Sequence, residues 1–137
     1  MAQDDFTSVL KTRVDEYFKN SGLSKKANFE MVFKSALYLG AYFSIYFLIV
    51  FGHLSLGADT VLALFLGFLI AGIGFNIGHD ALHGAYSHQS WVNNLLGYSF
   101  SIMGANPYNW KSMHNVVHHS YTNIAEADGD HPGPAGT

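Results

Sequence analysis

SALYLGAYFSIYFLIVFGHLSLGA (residues 35–58) and TVLALFLGFLIAGIGFNIG (residues 60–78), separated only by Asp59, decide the fold: they are runs of 24 and 19 residues without Asp, Glu, Lys or Arg. At about 1.5 Å per residue, helices of these lengths reach roughly 36 Å and roughly 28 Å, against a hydrocarbon core of about 30 Å. A helical pair in a soluble protein would keep a polar face for water, and neither run offers one. The expectation is an all-α protein built on a membrane-spanning helical hairpin over 31–78, with GHLSLGAD (52–59) as its turn.

Charge orients the hairpin. Lys11, Arg13, Lys19, Lys25, Lys26 and Lys34 precede the first run, Lys111 follows the second, and the turn has no basic residue. The positive-inside rule then places the N-terminus, and everything after residue 78, on the cytoplasmic side of a multi-pass protein. On the second run Ala63, Gly67, Ala71, Gly74 and Gly78 form a small-residue ridge that admits another helix, either the first span or one outside this chain. Tyr38, Tyr42 and Tyr46 form a stripe on the first run, read as helix packing, with the lining of an acyl path as the lesser reading.

Before the hairpin, Phe6, Val9, Leu10, Val14, Tyr17 and Phe18 recur at helical spacing among charged residues, and Asn20, Ser21 and Gly22 close the helix. Residues 1–30 therefore read as an amphipathic segment, packed on the protein or lying on a membrane surface. The first ten residues lack the basic and apolar regions of a secretory signal, so the start is expected to be retained.

The region 79–130 carries the chemistry. HDALH (His79, His83) and HNVVHH (His114, His118, His119) hold five of the eight histidines. Residues four apart on an α-helix share a face, about 6 Å apart, so each box can converge on an ion. His119, one step past His118, points about 100° further round an α-helix and suggests a second ion. Between the boxes, residues 91–110 are apolar but broken by Asn93, Asn94, Gly97, Gly104, Asn106 and Pro107. This stretch reads as an interfacial or re-entrant segment anchored by Trp91, Tyr108 and Trp110, bringing the chain back so that the boxes meet. His53, in the turn, and His88 read as surface residues. HPGPAGT (131–137) reads as a disordered end.

Composition excludes several classes. With no cysteine, any metal must use nitrogen and oxygen donors, and thiolate clusters and disulfides are ruled out. A net charge of −3 without a basic patch gives no reason to expect nucleic acid. Five imidazoles exceed the three protein ligands of a usual catalytic zinc and suit two ions or one extended site. A membrane setting points to a lipophilic substrate, and attack on an unactivated C–H bond needs a redox metal and dioxygen, which zinc does not supply.

HDALHG (79–84) and HNVVHHSYTN (114–123), about 30 residues apart after a hydrophobic hairpin, resemble the membrane fatty acid desaturases, particularly the bacterial acyl-CoA or acyl-lipid type. The resemblance runs to about Asp130. It implies a non-haem enzyme with two iron ions that desaturates a fatty acyl chain with dioxygen and two electrons. It also implies His79, His83, His114, His118 and His119 as iron ligands, with Asp80 and Asn115 orienting them. Such desaturases resemble four-span bundles with a third box, HxxHH or QxxHH, after a second hairpin. The 137 residues carry neither feature, so the expectation is the amino-terminal part of a larger bundle that does not turn over alone. His131, Pro132 and Gly133 begin like an HPGG haem motif that Pro134 breaks. Electrons would then come from a separate ferredoxin or b-type cytochrome.

Three other readings stay open. An intramembrane zinc protease would use HDALH as a variant HExxH, with Asp80 as a short general base and the second box unexplained. Hydroxylases, ketolases and alkane oxygenases share the two-box pattern. A non-catalytic metal-binding membrane fragment is the third.

Overall fold

In the computed structural model, residues 3–122 together with Ile124, Ala127 and Asp128 are described, and they are helical with no strand among them. Helix α1 (Gln3–Ser21) stops at Gly22, whose φ of +66° is the left-handed conformation that closes a helix most cheaply in glycine. Phe6, Leu10, Val14 and Tyr17 on α1 stay exposed. The helix is tied to the following turn by an ion pair between Asp15 and Lys25, and the Lys25 ammonium also sits 5.7 Å from the Phe18 ring centroid. That hydrogen-bonded ammonium holds the Asp15 carboxyl below the usual carboxylate range.

Helix α2 (Phe29–Phe51) begins at Asn28, whose side chain accepts from the Met31 amide at 2.9 Å. Helix α3 (Leu56–Leu82) begins at Ser55, which accepts from Ala58, so the hairpin turn shrinks to Gly52–Ser55 with His53 at φ +47°. Both helices are long and apolar enough to cross a membrane. In their most apolar stretches only 6% of α2 and 22% of α3 is buried by this chain. Leu64, Phe68 and Phe75 are among the residues left open, an apolar surface that water would penalise and lipid or further helices would not.

The two spans meet through small-to-large packing. The Tyr38 ring lies against Gly72, where an added Cβ would come within 3.2 Å of it. Tyr38 and Tyr42 pack on a core of Ile73, Ile77, Ala81 and Tyr86, while Tyr46 is exposed and stacks on Tyr42. The packing reading of the tyrosine stripe therefore holds for its first two members.

Past α3 the chain folds back on that helix's end. Helix α4 (Ser90–Gly97) and helix α5 (Ser99–Ile102) cover its last turns, with Leu82 against Gly97, Phe100 and Ser99 against Gly78, and Met103 against Gly74. Gly78 of the predicted ridge thus receives α5 and Gly74 the Met103 side chain just after it, whereas Ala63, Gly67 and Ala71 remain exposed. Polar latches fix the loop after α3. Lys26 donates to the Gly84 carbonyl (2.7 Å), the Ala27 amide to the Tyr86 carbonyl (3.0 Å), and the Tyr86 hydroxyl to Ser35 (2.9 Å). Asn93 accepts from the Ser87 amide and donates to the Ser87 carbonyl, each at 2.8 Å. Lys34 lies inside α2, not ahead of it, and donates to Asn76 of α3 at 2.7 Å.

The last helix, α6, runs over 107–121 and changes winding twice: α-helical over Pro107–Trp110, π-helical over Lys111–His118, then α-helical over His119–Tyr121. A second π-helical stretch, Gly74–Gly78, interrupts α3 just before His79. The expected loose end at 131–137, and His131 with it, lies outside the described residues.

Candidate metal centre

The first box is the last turn of α3 rather than a separate helix. His79 begins the α-helical turn after the π-stretch and His83 caps it, leaving their rings 4.5 Å apart. Box two arrives on α6. His114 lies 5.5 Å from His79 and 5.3 Å from His83, ring centre to ring centre. One nitrogen from each of His79, His83 and His114 falls within 4.8 Å of the other two. Metal–nitrogen bonds of about 2.1 Å set ligand nitrogens about 3 to 3.5 Å apart, so modest side-chain rotation closes these three around one ion.

The rings of His118 and His119 also stand beside this group, His119 in a way α-helical geometry does not anticipate. The ring of His119 lies 5.0 Å from His83 and 5.1 Å from His114, and His118 stacks on His114 at 4.9 Å. His119 was expected about 100° round from His118 and outside the sphere of His114; the three-nitrogen group contains neither it nor His118, but its ring turns toward His83 and His114. The physical reason is the π-winding of 111–118: with i→i+5 bonding, a residue five positions on returns near the starting face, as one four positions on does in an α-helix. His114, His118 and His119 can then address one region from a single helix.

Electrostatics favours the ligand form. The His83 pKa is pushed below its ordinary value, first by burial and then by repulsion from His79, His114 and His119, with Asp80 acting in the opposite direction. A neutral imidazole is what a cation requires. The donor set is nitrogen-rich and convergent, which fits a divalent redox metal as readily as zinc.

Around the histidines, Asp80 approaches His79 Nδ1 at 3.3 Å. Asn115 donates to the Leu82 carbonyl at 3.0 Å, one of the carbonyls that the end of α3 leaves without a helical partner. That bond ties box two to the backbone of box one. Two neighbours are new. Trp110, expected only as an interfacial anchor, stacks on His114 at 4.3 Å, meets Phe100 at 4.8 Å, and lies edge-on to His79 and His83 at 5.6 and 5.7 Å. The Asp128 carboxylate faces His118 Nδ1 with both oxygens, at 2.9 and 3.0 Å. Trp110 is four residues before His114, one turn away, a signal the sequence contained; Asp128 carried none beyond membership of an acidic stretch. His53 sits in the hairpin turn and His88 is exposed, and neither joins the ring contacts of the cluster.

An apolar cavity of about 550 Å³, lined by Gly74, Phe75, Phe100, Met103 and Trp110 among others, opens onto His79 and His114. A larger hollow of about 800 Å³ near Tyr98 and Lys111 touches none of the histidines.

The fatty acid desaturase family model matches residues 57–136. Similar proteins include the acyl-lipid (8-3)-desaturase of Physcomitrium patens, 36% identical over 127 residues, covering 93% of this chain and 26% of that protein. The sn-1 linoleoyl-lipid 6-desaturase of Arthrospira platensis is 39% identical over 123 residues, 90% of this chain and 33% of its own. Its counterpart in Synechocystis sp. is 34% identical over 123 residues, 90% of this chain and 34% of its own. The chain thus spans about a quarter to a third of the length of these relatives. No solved structure matches it.

Proposed function

The chain belongs to the fatty acid desaturase family, and on that premise we propose that it supplies the first two histidine boxes of a membrane-bound acyl-lipid desaturase. The reaction removes one hydrogen from each of two adjacent methylenes. Dioxygen, two electrons and two protons are consumed, and the products are one carbon–carbon double bond and two waters. Two iron ions, held by His79, His83, His114, His118 and His119 together with ligands from further chain, supply the oxidising chemistry when bound.

The observation that carries this reading is convergence: nitrogens of His79, His83 and His114, from segments about 30 residues apart, lie within 4.8 Å of one another. HDALH alone is therefore not a complete site, which weakens the protease reading. The cavity beneath Trp110 suits an acyl chain, since Phe75, Phe100 and Met103 offer it apolar walls and His79 and His114 stand at its mouth. Asp80 and Asn115 hold ligand segments in place, Asn115 through the Leu82 carbonyl.

In this proposal α2 and α3 form the first hairpin of a four-span bundle. The exposed Ala63, Gly67 and Ala71 give the second hairpin a surface to pack on. The boxes face the cytoplasm, where a ferredoxin or b-type cytochrome delivers electrons, and the chain without its remaining ligands does not turn over. Expressing the full gene product in a host fed polyunsaturated acyl lipids, with gas chromatography of the extracted chains, tests the reading. It expects one additional double bond per product chain, abolished by His114→Ala. An unchanged lipid profile alongside abundant membrane-inserted, iron-loaded protein overturns it.

A further inference from the structure

We infer that Asp128 is a positioning residue of the metal centre, holding His118 in the tautomer that turns Nε2 toward the ion; this rests on the metal-centre reading above. The side chain of Asp128 is 1% exposed, and its two oxygens lie 2.9 and 3.0 Å from His118 Nδ1. A buried carboxylate is costly unless it is hydrogen-bonded or paired, and the His118 ring is one of the partners of this one. As Nδ1 faces an acceptor-only group, Nδ1 carries the proton and donates it. Nε2 is left as the lone-pair nitrogen. Carboxylates commonly fix metal-binding histidines in this way.

The route of the chain supports the assignment. After α6, the Ile124 amide donates to the Tyr121 carbonyl, and the Ala127 and Asp128 amides donate to the Ile124 carbonyl, bonds that link Asp128 through Ile124 to the end of α6. Thr122 bonds the His118 carbonyl at 2.6 Å, fixing the backbone at the same point. Among the five box histidines, the two nearest each other in sequence thereby differ: the His118 ring is clamped from behind by a carboxylate, while His119 is exposed.

The test is cobalt(II) titration of the detergent-solubilised full chain, followed by its visible ligand-field bands, for the parent, Asp128→Asn, Asp128→Ala, His118→Ala and the double variant Asp128→Ala/His118→Ala. Asp128→Ala is expected to weaken binding about 10- to 100-fold, the usual effect of losing such a partner. Asp128→Asn, whose amide oxygen can still accept the Nδ1 proton, is expected to weaken it less. With His118 already removed, Asp128→Ala should change affinity by less than about twofold. A parent that binds no metal overturns the metal-centre reading itself. A parent that binds, with Asp128→Ala unchanged or with its loss persisting in the His118→Ala background, overturns only the role of Asp128. Nitrogen-15 imidazole spectra of the metal-free protein give a readout independent of the ion. They should show His118 as the Nδ1–H tautomer in the parent and a mixture in Asp128→Ala, and a mixture in the parent contradicts the inference.

Discussion

His83 sits where the burial of one side chain and the charge of its neighbours act in the same direction. Its folded-state pKa lies below the ordinary histidine value of about 6.5, so as pH falls the unfolded chain takes up the proton first. The stabilising contribution is complete above about pH 6.5 and is lost as pH drops through the lower folded value. Metal binding should follow the same direction, because a protonated imidazole is no ligand. Cobalt(II) affinity measured from pH 7.5 to 5 is therefore expected to fall below about pH 6.5, as pH drops through the lowered folded-state value of His83, and a flat profile would contradict the assignment of His83. The residues of this site were largely legible in advance, because HDALH and HNVVHH place imidazoles at one-turn spacing. The aim of His119 was not, since π-winding leaves no mark in a spacing argument built on the α-helix. Asp128 was equally hidden, as it meets His118 from 10 residues further along and not through helical periodicity.

At the scale of elements, the centre depends on how closely α5 and α6 approach the end of α3. Gly78 admits Phe100 so tightly that an added Cβ would lie 2.4 Å from the ring and 2.7 Å from the Ser99 hydroxyl. Gly78→Ala is expected to destabilise by about 1 to 3 kcal/mol through overpacking and to loosen the metal site one residue away, as read by thermal unfolding in detergent and cobalt affinity. Gly40→Ala, on the exposed side of α2 where an added Cβ meets no neighbouring side chain within 4 Å, serves as the matched control. Asn115→Ala removes the bond to the Leu82 carbonyl and is expected to cost about 1 kcal/mol. Its effect on metal affinity should exceed that of a surface change such as Ser112→Ala; equal effects would remove Asn115 from the site. The small-residue ridge was visible in the sequence as a surface for close approach. Which helix would occupy it was not, because Gly78 meets a short helix formed from the interrupted stretch that follows box one, and Gly74 the Met103 side chain just after it.

For the molecule as a whole, the hairpin follows from the two uncharged runs, and α2 and α3 repeat them with the turn shortened to Gly52–Ser55. The absence of cysteine makes the proposed orientation easy to test, since single cysteines can be introduced on an unreactive background. A cysteine at His53 is expected to react with an impermeant maleimide added outside intact cells, and one at Lys111 only after the cells are opened. Labelling of both from outside would contradict the cytoplasmic placement of the boxes. The central claim is that two separated boxes assemble one iron-binding site. Iron K-edge X-ray absorption of the iron(II)-loaded chain in lipid nanodiscs tests it most directly. The account predicts iron bound with imidazole scattering, diminished by either His83→Ala in box one or His114→Ala in box two. Iron that shows no imidazole shell, or a shell unaffected by one of the two substitutions, would contradict it.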